Sequence, residues 1–299
     1  MANLKEVRER IRSVQNTMQI TSAMKMVSAA KLRRAQSAIV DMRPYSNKLD
    51  AMLRNILANL EGDADTSFNQ ERQLQRAALV VVTSNRGLAG AFNTNVIKAA
   101  LAAIRGELSG AQQIDLYAIG KKGADFFRRR LEEFPQINLV EDYISLFDDL
   151  SFDNTKKVPQ LLMDSFEAGD YDQVRVCYCR FRNAAVQYPT NAQFLPVPPP
   201  EKDEDEEDNK MRADYIFEPG QQELLETLVP SILQTQFQKY LLDTHASEHG
   251  ARMTAMDSAT ENAKELQREL KISYNKARQE AITKEILEIV GGAAALEDG

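Results

Sequence analysis

The chain has 299 residues, 43% of them hydrophobic and 27% charged, with a formal net charge of −7. That length holds about two average domains, and the apolar share is ordinary for a soluble globular protein with a folded core. No run approaches the roughly 18 apolar residues of a membrane span, and Met1-Ala2-Asn3-Leu4 opens no apolar signal core, so a soluble protein is expected.

Residues 1–34 hold eight Lys or Arg against Glu6 and Glu9 only. A basic helix of this kind is either a solvated face or a surface for an acidic protein partner. Nucleic acid is disfavoured, because the basic residues are not interleaved with aromatics and no reading motif is present. The early acids also argue against a transit segment and for a bacterial cytoplasmic origin. Leu4, Val7, Ile11, Val14 and Met18 alternate by three and four, which places them on one helical stripe. The first helix is expected over residues 4–60, with Pro44 kinking or ending it by removing a backbone donor.

After a polar stretch, the apolar run Ala77 to Val82 reads as a strand buried on both faces, which implies a parallel sheet. Helices are expected over 94–108, 122–133 and 158–168, and strands over 114–119, 137–143 and 174–181. Strands alternating with helices of this length argue for a βαβ domain over residues 75–195. Ser84 to Asn93 follows the first strand, where α/β proteins often cradle phosphate. Only Gly87 and Gly90 are present there, without Gly-Lys-Ser/Thr, so neither the phosphate-loop nor the dinucleotide fingerprint is met. Cys177 and Cys179, two apart on a strand, face the same side, where a disulfide is awkward; buried free thiols in a reducing compartment are expected.

Residues 196–215 form an exposed acidic insertion: a proline-rich stretch, then seven carboxylates among the eight residues 201–208, which repel and stay hydrated. It lacks the glycine turn and spaced ligands of a calcium loop. The last long helix is expected over 220–292. Met256, Ala259, Ala263, Leu266, Leu270 and Ala277 repeat the stripe spacing, with Ser273 its only polar member. Two such stripes describe the seam of an antiparallel coiled coil formed by the two ends of the chain. His245-Ala246-Ser247-Glu248-His249 matches an H-x-x-E-H zinc-peptidase pattern, but these are the only two histidines and no third ligand is evident. A solvent-facing pair on a long helix is expected instead. No nucleophile signature and no spaced acid and base pair stands out, so no catalytic centre is read.

Three blocks carry a family resemblance: Ile11-Arg12-Ser13-Val14 with Ile20 to Lys31, the loop Ser84 to Asn93, and the final helix. In that helix the words are Ala246-Ser247-Glu248-His249, Ala251-Arg252-Met253, Ala255-Met256, Ser273 to Gln279 and Ile282 to Ala293. The chain resembles the γ subunits of F-type ATP synthases, the central rotor. The resemblance implies an antiparallel coiled coil of N- and C-terminal helices within a hexamer of α and β subunits. It also implies a Rossmann-like α/β foot with a parallel sheet core, resting with the ε subunit on the c-subunit ring. No cofactor, no metal and no catalytic residue of its own is implied, and the membrane is met only through partner subunits, on the cytoplasmic face of the bacterial inner membrane. Carried over by position, Arg278 and Gln279 resemble residues that hydrogen-bond a β-subunit loop. Met24, Lys25 and Arg252 resemble those facing an acidic β loop, and Thr283 and Glu285 share the helix of Arg278. For Met24, simple coiled-coil packing is the alternative. The acidic insertion at 201–208 departs from the family pattern. The rival reading is a free-standing coiled-coil scaffold with a nucleotide-binding α/β head; a zinc peptidase is a distant third.

Overall fold

The computed structural model describes residues 4–59, 68–197 and 221–297; the acidic run at 201–208 lies outside the described residues. The chain divides into two compact units, one of Met1–Ser28 with Arg252–Gly299, the other of Ala29–Ala251. The first helix, α1 (Leu4–Asn59), and the last, α6 (Gln221–Glu297), contribute to both.

The second unit is built on strands β1 (Arg76–Val82), β2 (Gln113–Ile119), β3 (Ile137–Val140), β4 (Gln173–Phe181) and β5 (Gln187–Leu195) in the order β3-β2-β1-β4-β5. β1 pairs in parallel with β2 and β4, β2 in parallel with β3, and β5 closes the far edge antiparallel to β4. Because successive side chains in a strand point to opposite faces, β1 feeds two cores. Ala77, Leu79 and Val81 meet Phe92, Val96 and Ala100 of α2 (Phe92–Arg105) and Ala124 and Phe127 of α3 (Lys121–Arg128). Ala78, Val80 and Val82 share a core with Leu162, Met163 and Phe166, and with Leu233, Phe237 and Leu241 of α6. The first three belong to α5 (Lys157–Glu167), which follows the short α4 (Phe152–Thr155). Helices thus cover both faces, which is why the strand reads as an unbroken apolar run.

α1 has its expected length: Pro44 does not end it, and the helix continues to Asn59; the carbonyl that proline deprives of a partner belongs to Val40, a residue 58% exposed. Two expectations need correction, and one strand was not foreseen. The helix expected over 122–133 stops at Arg128 and resumes as a single tight turn, Leu131–Glu133. The strand expected over 137–143 ends at Val140. β5 was not foreseen, because its sequence is mostly polar and contains Pro189, which an edge strand tolerates.

The two thiols are buried on β4 and free, as the strand spacing implied. Burial pushes Cys177 up to about 12, Cys179 up to about 11 and Tyr178 up to about 12. The folded state therefore holds these groups neutral, whereas the unfolded chain ionises them nearer their ordinary values, about 8.5 for thiols. Their contribution to stability is complete below the unfolded pKa and is lost as pH rises through the folded one. Thermal unfolding followed by circular dichroism should show Tm falling steadily between about pH 8.5 and pH 11; a flat profile would contradict this burial.

Candidate functional site

The first unit is a pair of antiparallel helix segments whose register is fixed by three contacts. Arg8 of α1 lies opposite Tyr274 of α6, Thr21 opposite Thr260, and Lys25 opposite Asp257. Along α1 one line of buried or half-buried positions runs through Leu4, Val7, Ile11, Val14, Met18, Thr21, Lys25 and Ser28, alternating by three and four. Along α6 the facing line runs through Met256, Thr260, Ala263, Gln267, Leu270, Tyr274, Ala277 and Ala281, with the same alternation. That is the heptad spacing of a coiled-coil seam. It differs from the expected stripe at three places: Thr260, Gln267 and Tyr274 occupy the seam, whereas Ala259 is off its line and Leu266 and Ser273 are exposed. Thr260 and Tyr274 win their places because each finds a partner, Thr21 and Arg8, across the seam.

Thr21 Oγ1 and Thr260 Oγ1 are 2.8 Å apart, Thr260 Oγ1 donates to the Met256 carbonyl at 2.7 Å, and the Met18 carbonyl lies 3.1 Å from Thr21 Oγ1. Two hydroxyl protons serve three contacts, so the two shortest form together: Thr260 donates down its own helix while accepting from Thr21. Arg8 Nη2 donates to the Tyr274 hydroxyl at 2.8 Å, with its guanidinium carbon 5.7 Å from the ring centre. A groove of about 370 Å³ beside these contacts is lined by Met18, Gln19, Ser22, Lys25, Asp257, Thr260, Glu261 and Lys264.

The candidate residues fall into two groups. Met24 is half-buried beside the seam, and its carbonyl accepts the Ser28 hydroxyl at 2.8 Å. Lys25 is ion-paired to Asp257, with 42% of its side chain still exposed and open to a second acidic group. Arg252 is 7% exposed. Arg278, Gln279, Thr283 and Glu285 are all exposed, and Arg278 lies about 40 Å further along α6 than Arg252 at 1.5 Å per residue. Gln279 and Thr283 share one groove with Lys276, Glu280, Lys284 and Leu287. Arg278 and Glu285, seven residues apart, lie on the neighbouring stripe with Ile282 and Ile289.

The register that sets Arg8 against Tyr274 brings Leu4 opposite the region of Ala277, so α6 continues past the first described residue of α1. From Ile282 to Val290 every residue is exposed, including Ile282, Ile286, Leu287, Ile289 (71%) and Val290. Thr283 and Glu285 of this stretch are candidate residues, but its aliphatic side chains were missed as part of a site. Their signal lies in the sequence, since at 100° per residue Ile289, Ile282, Ile286, Val290 and Leu287 spread over about 160° of the helix, a face wider than a narrow seam stripe, with Lys284, Glu285 and Glu288 opposite.

In the second unit, residues of the loop after β1 bond to backbone amides of their own loop and of α3. Ser84 N–H donates to Asn93 Oδ1 at 2.9 Å, and at the start of α3 the N–H groups of Lys121, Lys122 and Gly123 donate to Asn85 Oδ1, the Ser84 carbonyl and Thr83 Oγ1. The Ser84 amide and the first amides of α3 are therefore taken by protein groups and do not face a phosphate. The histidine pair is not solvent-facing as expected: His249 is buried and His245 half-buried. Their Nε2 atoms are 3.1 Å apart, and the His245 ring stacks on Phe147. Both lie on a stretch of α6 that is covered nearly all round. Among the described residues, no group of three or more His, Cys, Asp or Glu is arranged to hold a metal ion, and no helix is long and apolar enough to cross a membrane.

Residues 3–296 match a family model described as ATP synthase. The ATP synthase gamma chain of Flavobacterium psychrophilum is 52% identical over 297 residues, covering 99% of this chain and 100% of that one. The ATP synthase gamma chain of Cytophaga hutchinsonii is 52% identical over 301 residues, covering 100% of both. A chain in a cryo-EM structure of the Euglena gracilis mitochondrial ATP synthase, comprising OSCP, F1 and c-ring, shares the fold with a TM-score of 0.62. It is 21% identical and covers 99% of this chain and 95% of that one.

The ion pair between Lys25 and Asp257 is half exposed, which limits it to about 0.2–1 kcal/mol. A double-mutant cycle on urea unfolding, with Lys25→Met and Asp257→Ala, should return a coupling in that range at low salt. It should fall toward zero near 1 M salt; a coupling that salt leaves unchanged would mean the pair is desolvated.

Proposed function

The chain belongs to the ATP synthase gamma-chain family, and from that premise we infer that it acts as the central rotor of an F-type ATP synthase and carries no reaction of its own. The observation that carries the reading is the end of α6, exposed on every side between Ile282 and Val290 and set with five large aliphatic residues. Such a surface is complementary to an apolar sleeve formed by other subunits.

The mechanism is a matter of differential contact. Three β sites that are equivalent by themselves meet different faces of an asymmetric helix pair, so at any angle the rotor stabilises a different conformation in each. Moving a two-state equilibrium from 1:99 to 99:1 needs about 5.5 kcal/mol of differential interaction. One exposed hydrogen bond contributes about 0.5–1.5 kcal/mol, and one fully buried aliphatic side chain about 1.5–3 kcal/mol. Two or three aliphatic contacts together with a few polar ones therefore suffice, and no single residue does. In this reading Arg278, Gln279, Thr283 and Glu285 supply polar contacts to a β-subunit loop, while Met24, Lys25 and Arg252 face its acidic loop. The α/β unit meets the ε subunit and the c ring. The complex sits on the cytoplasmic face of the bacterial inner membrane, with proton or sodium flow driving rotation toward ATP synthesis.

The rival nucleotide-binding scaffold is disfavoured because the loop after β1 lacks the phosphate-binding fingerprint and its Ser84 amide and the first amides of α3 are bonded to protein groups. Mixing the purified chain with cognate α and β subunits should give an ATPase complex containing one copy; failure with well-folded subunits, together with nucleotide binding by the isolated chain, would restore the rival. Within that complex, Gln279→Leu should lower ATPase turnover by up to about tenfold without preventing assembly, because it removes a hydrogen bond and no core. Unchanged turnover would remove Gln279 from the coupling surface.

A further inference from the structure

β4 is longer than its neighbour β1. The last residue of β4 paired with β1 is Cys177, opposite Val81, so Cys179, which lies opposite Pro189 of β5 on its other side, has no strand on the β1 side to bond with. A helix supplies the missing partners. The Cys179 N–H donates to Thr244 Oγ1 at 3.2 Å, and the Cys179 carbonyl accepts from Ser247 Oγ at 3.2 Å. Thr244 Oγ1 in turn donates to the Tyr240 carbonyl at 2.8 Å, which aims its lone pairs at the strand. Both hydroxyl residues are fully buried. One turn before them Tyr240 stacks on Tyr178 with centroids 4.1 Å apart. Just after them Gly250 lets the helix touch the turn between β4 and β5: a Cβ there would stand 3.2 Å from Ala184 Cα and 3.5 Å from Phe181. Glycine is among the poorest helix formers, so its place in mid-helix marks a close approach. From Tyr240 to Gly250 every residue of α6 except the half-buried His245 is buried.

We propose that Thr244 and Ser247 are positioning residues of a collar that locks α6 to the overhanging end of β4, and that torque on the α/β unit enters α6 through this collar. The packed core of Leu233, Phe237 and Leu241 holds α6 on the sheet; the hydrogen-bonded pair adds a directional contact on the strand edge, which has one register. The proposal rests on the rotor reading, and its test separates the two.

In the assembled complex, with α and β subunits immobilised and a bead attached through Ser109→Cys on the exposed surface of the α/β unit, the angular variance of the bead during an ATP-binding pause reports torsional stiffness. Thr244→Val with Ser247→Ala should raise that variance about twofold and leave the ATPase rate within about a factor of two. Thr244→Ser with Ser247→Thr, which keeps both hydroxyls, should return it to the original value. A variance unmoved by the first pair, or raised equally by the second, overturns the collar. A complex of the unaltered chain that forms but does not rotate overturns the rotor reading instead. Hydrogen exchange at the Cys179 amide of the unaltered chain stands independent of how the variants fold. Protection like that of the central strands supports the collar, and exchange as fast as exposed loop amides overturns it.

Discussion

The structure depends on α6 finding a buried partner along two successive stretches of its length. A helix of 77 residues is not held in water by propensity alone, since most helical stability in proteins comes from burying one face. In the α/β unit, Leu233, Phe237 and Leu241 share a core with the inward faces of β1, β4 and β5. In the helix-pair unit, Met256, Thr260 and Ala263 line a seam with α1. The sheet can be small because it has a helix to cover it, and α1 can be long because it has a seam to fill.

The two stretches use different chemistry. The sheet contact is aromatic and aliphatic, with Phe194 edge-on to Phe237 at 5.9 Å, a combination that buries large area and fixes geometry. The seam is made of small and polar groups: threonine against threonine, arginine against tyrosine, lysine against aspartate. Each of those contacts is worth little by itself. What they provide is register, because a misaligned pair would lose the contact between Thr21 and Thr260 and leave each hydroxyl only a carbonyl of its own helix. For a rotor, fixed register in the helix pair and free apolar surface at its end are complementary needs. The first keeps the faces distinct, and the second gives the partners something to grip.

Much of the fold was legible because strong local patterns coincide with their tertiary outcome. The unbroken run from Ala77 to Val82 is a central strand covered on both faces, and the paired stripes at the two ends form an antiparallel seam. The glycine loop failed the phosphate fingerprint in sequence, and in space its neighbouring amides are bonded to Thr83, Ser84 and Asn85. The candidate residues were reached by position in a family and not by any chemistry of their own, since exposed Arg278 and Gln279 carry no local mark that separates them from an ordinary solvated face.

By itself the sequence determined the two long helices, the four parallel strands and the helices between them, that the two ends pair, and the family the chain belongs to. The structure decided the phase of the seam: Thr260, Gln267 and Tyr274 in place of Ala259, Leu266 and Ser273. Adjacent helical residues differ by about 100°, and a broad apolar stripe admits either; only the opposing helix, with a hydroxyl or a guanidinium at the matching height, selects one. It decided that His249 is buried, because coverage of α6 from several sides cannot be read from a pattern along one. It also decided that the polar segment Gln187–Leu195 is a strand, since an edge strand is made by its neighbour's unpaired backbone and not by its own side chains.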